Sequence, residues 1–267
     1  MTTPTSADRS RTTELRRALS LARAEALLLM RNRTALFTAL LIPLMLTAIV
    51  AVLPDSPTKA PQVFGMIIGT SLIFVVYYTL VTTTVARREE HTLKRLYTSS
   101  ARPSTVLIAM AIPAIVLMLA QVIVGGVAVA LLVGVDNLKH IWLLVPTMAA
   151  AAAVWCLLAL ASAIFTRSVE AAQLTTLPLI LVALGLWGLS VPLALLPEAA
   201  QMLAQLSPMF PVVDLVHLSL GTVRVSGDVV TGAAFWSAAG IDLAVLVGWV
   251  AVGMMVVRRA FRWEPRH

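Results

Sequence analysis

Five stretches of this chain contain no charged residue: 36–53, 62–86, 104–135, 141–166 and 171–197. Each is 18 residues or longer, enough for a helix to cross a hydrocarbon core about 30 Å thick. A sixth stretch, 237–257, holds one ionisable residue, Asp242. In lipid a segment of this kind has no water to satisfy its backbone, so it closes its own hydrogen bonds as a helix. Charged residues make up only 12% of the chain, against about 25% in an ordinary soluble domain. A disordered chain is excluded, and a soluble enzyme is a poor fit. The expected fold is all-α and polytopic. Spans are placed near 35–53, 62–86, 104–133, 141–165, 172–196 and 237–257, and together form one six-span unit over 35–257.

The placement of charge sets the expected orientation. With the N-terminus in the cytoplasm, seventeen of the twenty Lys and Arg fall on the inner side and three fall outside: Lys59, Lys139 and Arg224. This is a strong positive-inside pattern, and it puts both termini in the cytoplasm. The net charge of +7 is then a result of topology, and no nucleic-acid partner is expected. Residues 1–34 do not read as a cleaved signal, because the first apolar run starts too late. They hold an amphipathic pattern instead. Leu15, Leu19, Ala22, Ala26, Leu29 and Met30 share one face, with Arg16, Arg17, Arg23 and Arg31 beside or opposite it. Such a helix would lie at the inner headgroups, with its arginines toward anionic lipid. Residues 258–267 form a basic cytoplasmic tail.

Within the spans, small residues mark places where helices can approach: Gly125 with Gly126, and the alanine run 149–153. The third span is long, about 45 Å as a helix, so it must tilt, kink at Pro113 or project from the bilayer. The 197–236 connection holds two short apolar stretches, 199–206 and 212–220, joined by Pro208 and Pro211. Neither is long enough to span. They read as two short helices that rest on the outer membrane face, or dip in and return.

Little chemistry of the usual kinds is present. There is no G-x-x-x-x-G-K-[ST] loop, no H-E-x-x-H and no G-x-S-x-G. The four histidines lack ligand spacing. The only cysteine, Cys156, lies mid-span and reads as a packing residue. No cofactor or metal is expected, and no catalytic role for the chain. Asp242 is the one ionisable residue buried in a span, six positions in from its outer end. With Gln121, Tyr77 and Tyr78 it is a candidate for lining a transport pathway.

The densest charge cluster, 87–97, falls in the first cytoplasmic loop. Glu89, Leu93 and Leu96 share one face of a short helix, which Arg102-Pro103 then stops. A helix with acids first, leucines on one face and cations last can dock on a soluble partner. A basic loop held by anionic lipid fits the composition equally well.

At these residues the chain resembles a known family, the membrane subunits (permeases) of type-2 ABC transporters. Their first cytoplasmic loop commonly has an acid-rich start, a Thr-Leu, a charged residue and a further Leu, then a Pro-Ser entering the third span. Here those positions are Glu89, Glu90, Thr92, Leu93, Lys94, Leu96, Pro103 and Ser104. His91 stands where the family often has glycine. The resemblance extends to the amphipathic lead-in with Arg31-Asn32-Arg33, the six spans, and 207–211 ahead of the last span. It implies the permease half of an ATP-driven exporter in a bacterial inner membrane. Two permeases, identical or sister chains, would pair with two copies of a separate ATP-binding subunit, which hydrolyses the ATP. Glu89, Glu90, Thr92, Leu93 and Leu96 would form the coupling contact. The nearly uncharged spans suit a hydrophobic, drug-like or lipid-like substrate. The rival reading is a stand-alone channel or membrane anchor without ATP coupling.

Overall fold

The computed structural model describes residues 58–90, 103–132, 140–189 and 193–260, with isolated positions at 23, 27, 31, 41, 45, 48, 52 and 191. Apart from those positions, the amphipathic lead-in and the first span lie outside the described residues. So do Thr92, Leu93, Leu96 and the last seven residues of the tail.

The first described helix, α1 (Lys59–Glu89), is the most deeply buried of the long ones. It opens as an α-helix over Lys59–Thr70, widens to a π-helix over Ser71–Tyr78, and returns to α-helix over Thr79–Glu89. π-helical turns are rare and concentrate at functional sites. Here the widened stretch includes Tyr77, which packs edge-on against Trp155 with ring centroids 5.8 Å apart. Helix α2 (Pro103–Leu132) runs unbroken through Pro113. It packs along α1, at the predicted glycine pair. A Cβ on Gly125 would come within 2.7 Å of Ile67, and one on Gly126 within 3.1 Å of Phe64. The opposite face of α2, with Ile108, Val116, Ile123 and Val127, is exposed. Among the described residues nothing covers it, as expected of a surface facing lipid or another membrane chain.

Helix α3 (Leu144–Phe165), entered through a 3₁₀ turn at Ile141–Leu143, returns antiparallel to α2 and so runs parallel to α1, the two helices ending side by side. Ser168 caps α4 (Val169–Leu186), its hydroxyl accepting from the Ala171 amide at 3.1 Å. Charge-free sequence alone carries this span to 196, but the helix ends at Leu186. The physical reason is Gly188. Its φ of +81° breaks the helix, and a Cβ there would lie 2.3 Å from Val225. Trp187 turns inward and is buried.

The 197–236 connection dips into the protein and returns. Helix α5 (Glu198–Leu206) meets α6 (Phe210–Leu220) at a 79° bend. Every residue of α6 is buried, so it does not rest on a membrane face. The elbow reaches deep. Trp249 of α7 (Gly232–Ala260) donates from Nε1 to the Leu206 carbonyl at 2.9 Å, about 26 Å along α7 from its start. Irregular backbone is tolerated at that depth only when it is enclosed by protein or lines a cavity. Met209, at the elbow, is fully buried, and Ser207 Oγ accepts from the Phe210 amide at 3.2 Å. Helix α7 then runs along α3 and against α6. Five described helices are long and apolar enough to cross a membrane, or six if the bent pair counts as one span.

Candidate functional site

A short hairpin over 222–230 links α6 to α7. The Arg224 amide donates to Asp228 O (2.9 Å) and the Gly227 amide to Arg224 O (3.0 Å). Gly227 takes the φ of +95° that the turn requires. This turn brings Arg224 back over the end of α6. Its Nε and Nη2 both meet Asp214 Oδ2, at 2.7 and 2.6 Å. The Val225 amide donates to the other carboxylate oxygen of Asp214 at 2.8 Å. Asp214 is fully buried, and both of its oxygens are held.

A second carboxylate faces the same guanidinium. Asp242, buried on α7, lies 3.6 Å from Arg224 Nη2 through Oδ2, and that oxygen closes no hydrogen bond. Burial alone would lower the Arg224 pKa. The charges of Asp214, Asp242 and Asp228, with the hydrogen bonds to Asp214, outweigh that effect and hold it above its usual value. The guanidinium stays charged. His217 sits one turn beyond Asp214 on α6 and is also buried. Neither ring nitrogen closes a hydrogen bond. Its ring would lie 4.0 Å from a Cβ placed on Gly65 of α1. The cluster thus joins α6, the hairpin and α7 beside the start of α1. Buried ions of this kind are costly in a membrane and mark functional positions. Among the described residues, no group of three His, Cys, Asp or Glu side chains is placed to hold a metal.

At the far end of α1, next to the 91–102 loop, lies a second polar junction. Arg88 is buried. It donates from Nη1 to Ala163 O at 2.9 Å and from Nη2 to Thr166 O. These carbonyls close the C-terminal end of α3, where cations are favoured. The Thr166 hydroxyl bonds Thr175 of α4 at 2.8 Å. About one turn deeper, the Tyr77 and Ser162 hydroxyls meet at 2.9 Å. Arg87 pairs with Glu90 at 2.8 Å.

Residues 16–220 match the sequence profile of the family described as ABC-2 type transporter. The chain belongs to the ABC-2 type transporter family. It is therefore a multi-pass membrane permease of ABC transporter type, a transport component of a family that generally works with an ATP-binding subunit. No curated protein matches the sequence. The matched stretch ends at Leu220, the last residue of α6. Asp214 and His217 therefore fall inside it, and Arg224 and Asp242 outside.

Of the coupling residues expected in this ABC-2 permease, Glu89 and Glu90 are exposed at the end of α1, while Thr92, Leu93 and Leu96 lie outside the described residues. The four pathway candidates are spread over three helices. Tyr77 is buried in the α1–α3 seam, Tyr78 and Gln121 are half-buried on α1 and α2, and Asp242 belongs to the ionic cluster. Sequence reasoning missed Asp214, His217 and Arg224. A usable signal was present: an Asp and a His three apart inside a short apolar stretch that is preceded by two prolines and followed by a lone outer Arg.

Proposed function

We propose that this permease is the membrane half of an ATP-driven exporter, coupled through residues 89–96 to a separate ATP-binding subunit. What supports the reading is the place from which that loop hangs. It follows directly on α1, the most buried long helix, whose packing partners are α2, α3, α4 and α6. A displacement applied at Glu89 therefore enters the centre of the bundle rather than a peripheral helix. Glu89 and Glu90 stand exposed at that end, Glu90 paired with Arg87. On this reading Glu89 would meet a basic group on the partner while Glu90 exchanges or shares its own. Leu93 and Leu96 follow at helical spacing. Two permeases with two ATP-binding subunits would make the working unit. It would sit in a bacterial inner membrane with both termini cytoplasmic, and basic residues at the inner face would meet anionic lipid. A hydrophobic, drug-like or lipid-like molecule fits the nearly uncharged spans.

The test is the Leu93→Ala/Leu96→Ala double variant. Full burial of a leucine side chain is worth about 1.5–3 kcal/mol, so losing two contacts weakens partner binding more than about a hundredfold. The expected result is normal membrane insertion with loss of the P-loop ATPase from affinity-purified permease. A double variant that retains the ATPase at parental stoichiometry would falsify the coupling assignment.

A further inference from the structure

We propose that Arg88 is a positioning residue that fuses the loop-bearing end of α1 to α3, so that a push on the loop moves both helices as one body. The inference rests on the coupling reading above and deepens it. An arginine in the last turn before a charged loop would ordinarily extend into water or headgroups. Arg87 does so in part and pairs with Glu90. Arg88 turns inward, with 2% of its surface exposed. Its two terminal nitrogens take Ala163 O and Thr166 O, groups that the end of a helix leaves without partners. The planar fork of arginine can hold two carbonyls at once, which the single ammonium of lysine does less well.

What Arg88 holds is itself tied onward. Thr166 bonds Thr175 of α4, and Ser162 bonds Tyr77 of α1. Helix α3 in turn packs on α7. A Cβ on Gly253 would come within 2.8 Å of Leu157 Cβ, an atom too near the backbone to move aside. Contacts this close transmit displacement. Helix α7 carries Asp242 at its other end. Besides the direct packing of α1 on α6, a second route therefore runs from the loop to the ionic cluster through Arg88, α3 and α7, and Arg88 is its joint nearest the loop.

The experiment uses the permease–ATPase complex in lipid nanodiscs, with Cys156→Ser and a bimane fluorophore on Asp228→Cys, an exposed position on the hairpin. ATP with vanadate is the probe. The parental complex is expected to change bimane emission on trapping. Arg88→Gln is expected to keep its ATPase and its ATP hydrolysis, while the bimane response falls at least about twofold, the part carried by α1 on α6 remaining. Arg88→Lys should restore a substantial part of it. A full response in Arg88→Gln overturns the proposal.

A second measurement does not depend on the Arg88 variants folding. Spin labels at Ala86 and Arg167, in chains diluted with unlabelled permease, report the α1–α3 joint in the parental complex. The distance within one chain is expected to stay the same between resting and trapped states. A shift on trapping overturns the proposal. Failure of the underlying reading looks different: the Leu93→Ala/Leu96→Ala variant keeps its ATPase, and the parental complex gives no bimane response.

Discussion

The two carboxylates that share Arg224 are not equivalent. Asp214 accepts two short contacts from the guanidinium and one from the Val225 amide. Asp242 stands at 3.6 Å through one oxygen. Removing one member of a buried pair strands the other, at about 3–5 kcal/mol. The partner left behind, Arg224, keeps 23% of its side chain exposed, so solvent recovers part of that cost. Asp214→Ala is therefore expected to lower thermal stability in detergent by about 2–3 kcal/mol and to release the hairpin. Asp242→Asn keeps shape and polarity and takes away only the looser contact, so its loss should be about 1 kcal/mol. Thermal unfolding followed by Trp fluorescence compares them. Equal losses would show that the 3.6 Å contact carries as much as the short ones. Asp242 was legible in the sequence because a lone acid stands out in an apolar run. Asp214, His217 and Arg224 were not. In a short stretch just after Pro208 and Pro211, polar residues look like an ordinary solvated loop, and only the fold buries them.

Among the elements, packing separates glycines that composition cannot. Gly253 admits Leu157 of α3, whereas a Cβ added at Gly240 or Gly248, on the same helix, would meet nothing within 4 Å. Gly253→Ala is expected to cost about 1–3 kcal/mol by overpacking. Gly240→Ala should be neutral or stabilising by up to about 1 kcal/mol. Midpoints of heat-induced aggregation in one detergent test the contrast, and a destabilised Gly240→Ala would contradict it. Helix existence was legible for the five long helices among the described residues, since charge-free length is enough to place a span. Helix ends were less so. The run to Pro197 hides the stop at Leu186 because Gly188 and Trp187 are apolar, and hydropathy does not register a left-handed turn. The re-entrant pair stayed ambiguous because stretches of 9 and 11 residues fit either a surface or an interior position. Burial of α6 depends on α1, α3 and α7, which a local pattern does not contain.

For the whole molecule, the two polar junctions lie at opposite ends of the bundle, and orientation decides which one faces the cytoplasm. Cysteines at Asp228 and Arg167, both exposed, test it in a Cys156→Ser background. An impermeant maleimide on intact cells should label position 228 and leave 167 untouched until the membrane is opened; the opposite pattern would invert the topology. The deep elbow between α5 and α6 also constrains how the protein is made. Neither helix is long enough for the translocon to accept as a span. Asp at a helix centre opposes insertion by about 2.5–3.5 kcal/mol, and Asp214 brings that penalty. The pair is therefore expected to insert poorly by itself when it emerges from the ribosome. Its docking is expected to wait for α7, which follows it in the chain and supplies Trp249 and Asp242 to the socket. On that expectation assembly of this region includes a docking step, with α7 as the template for the pair that precedes it.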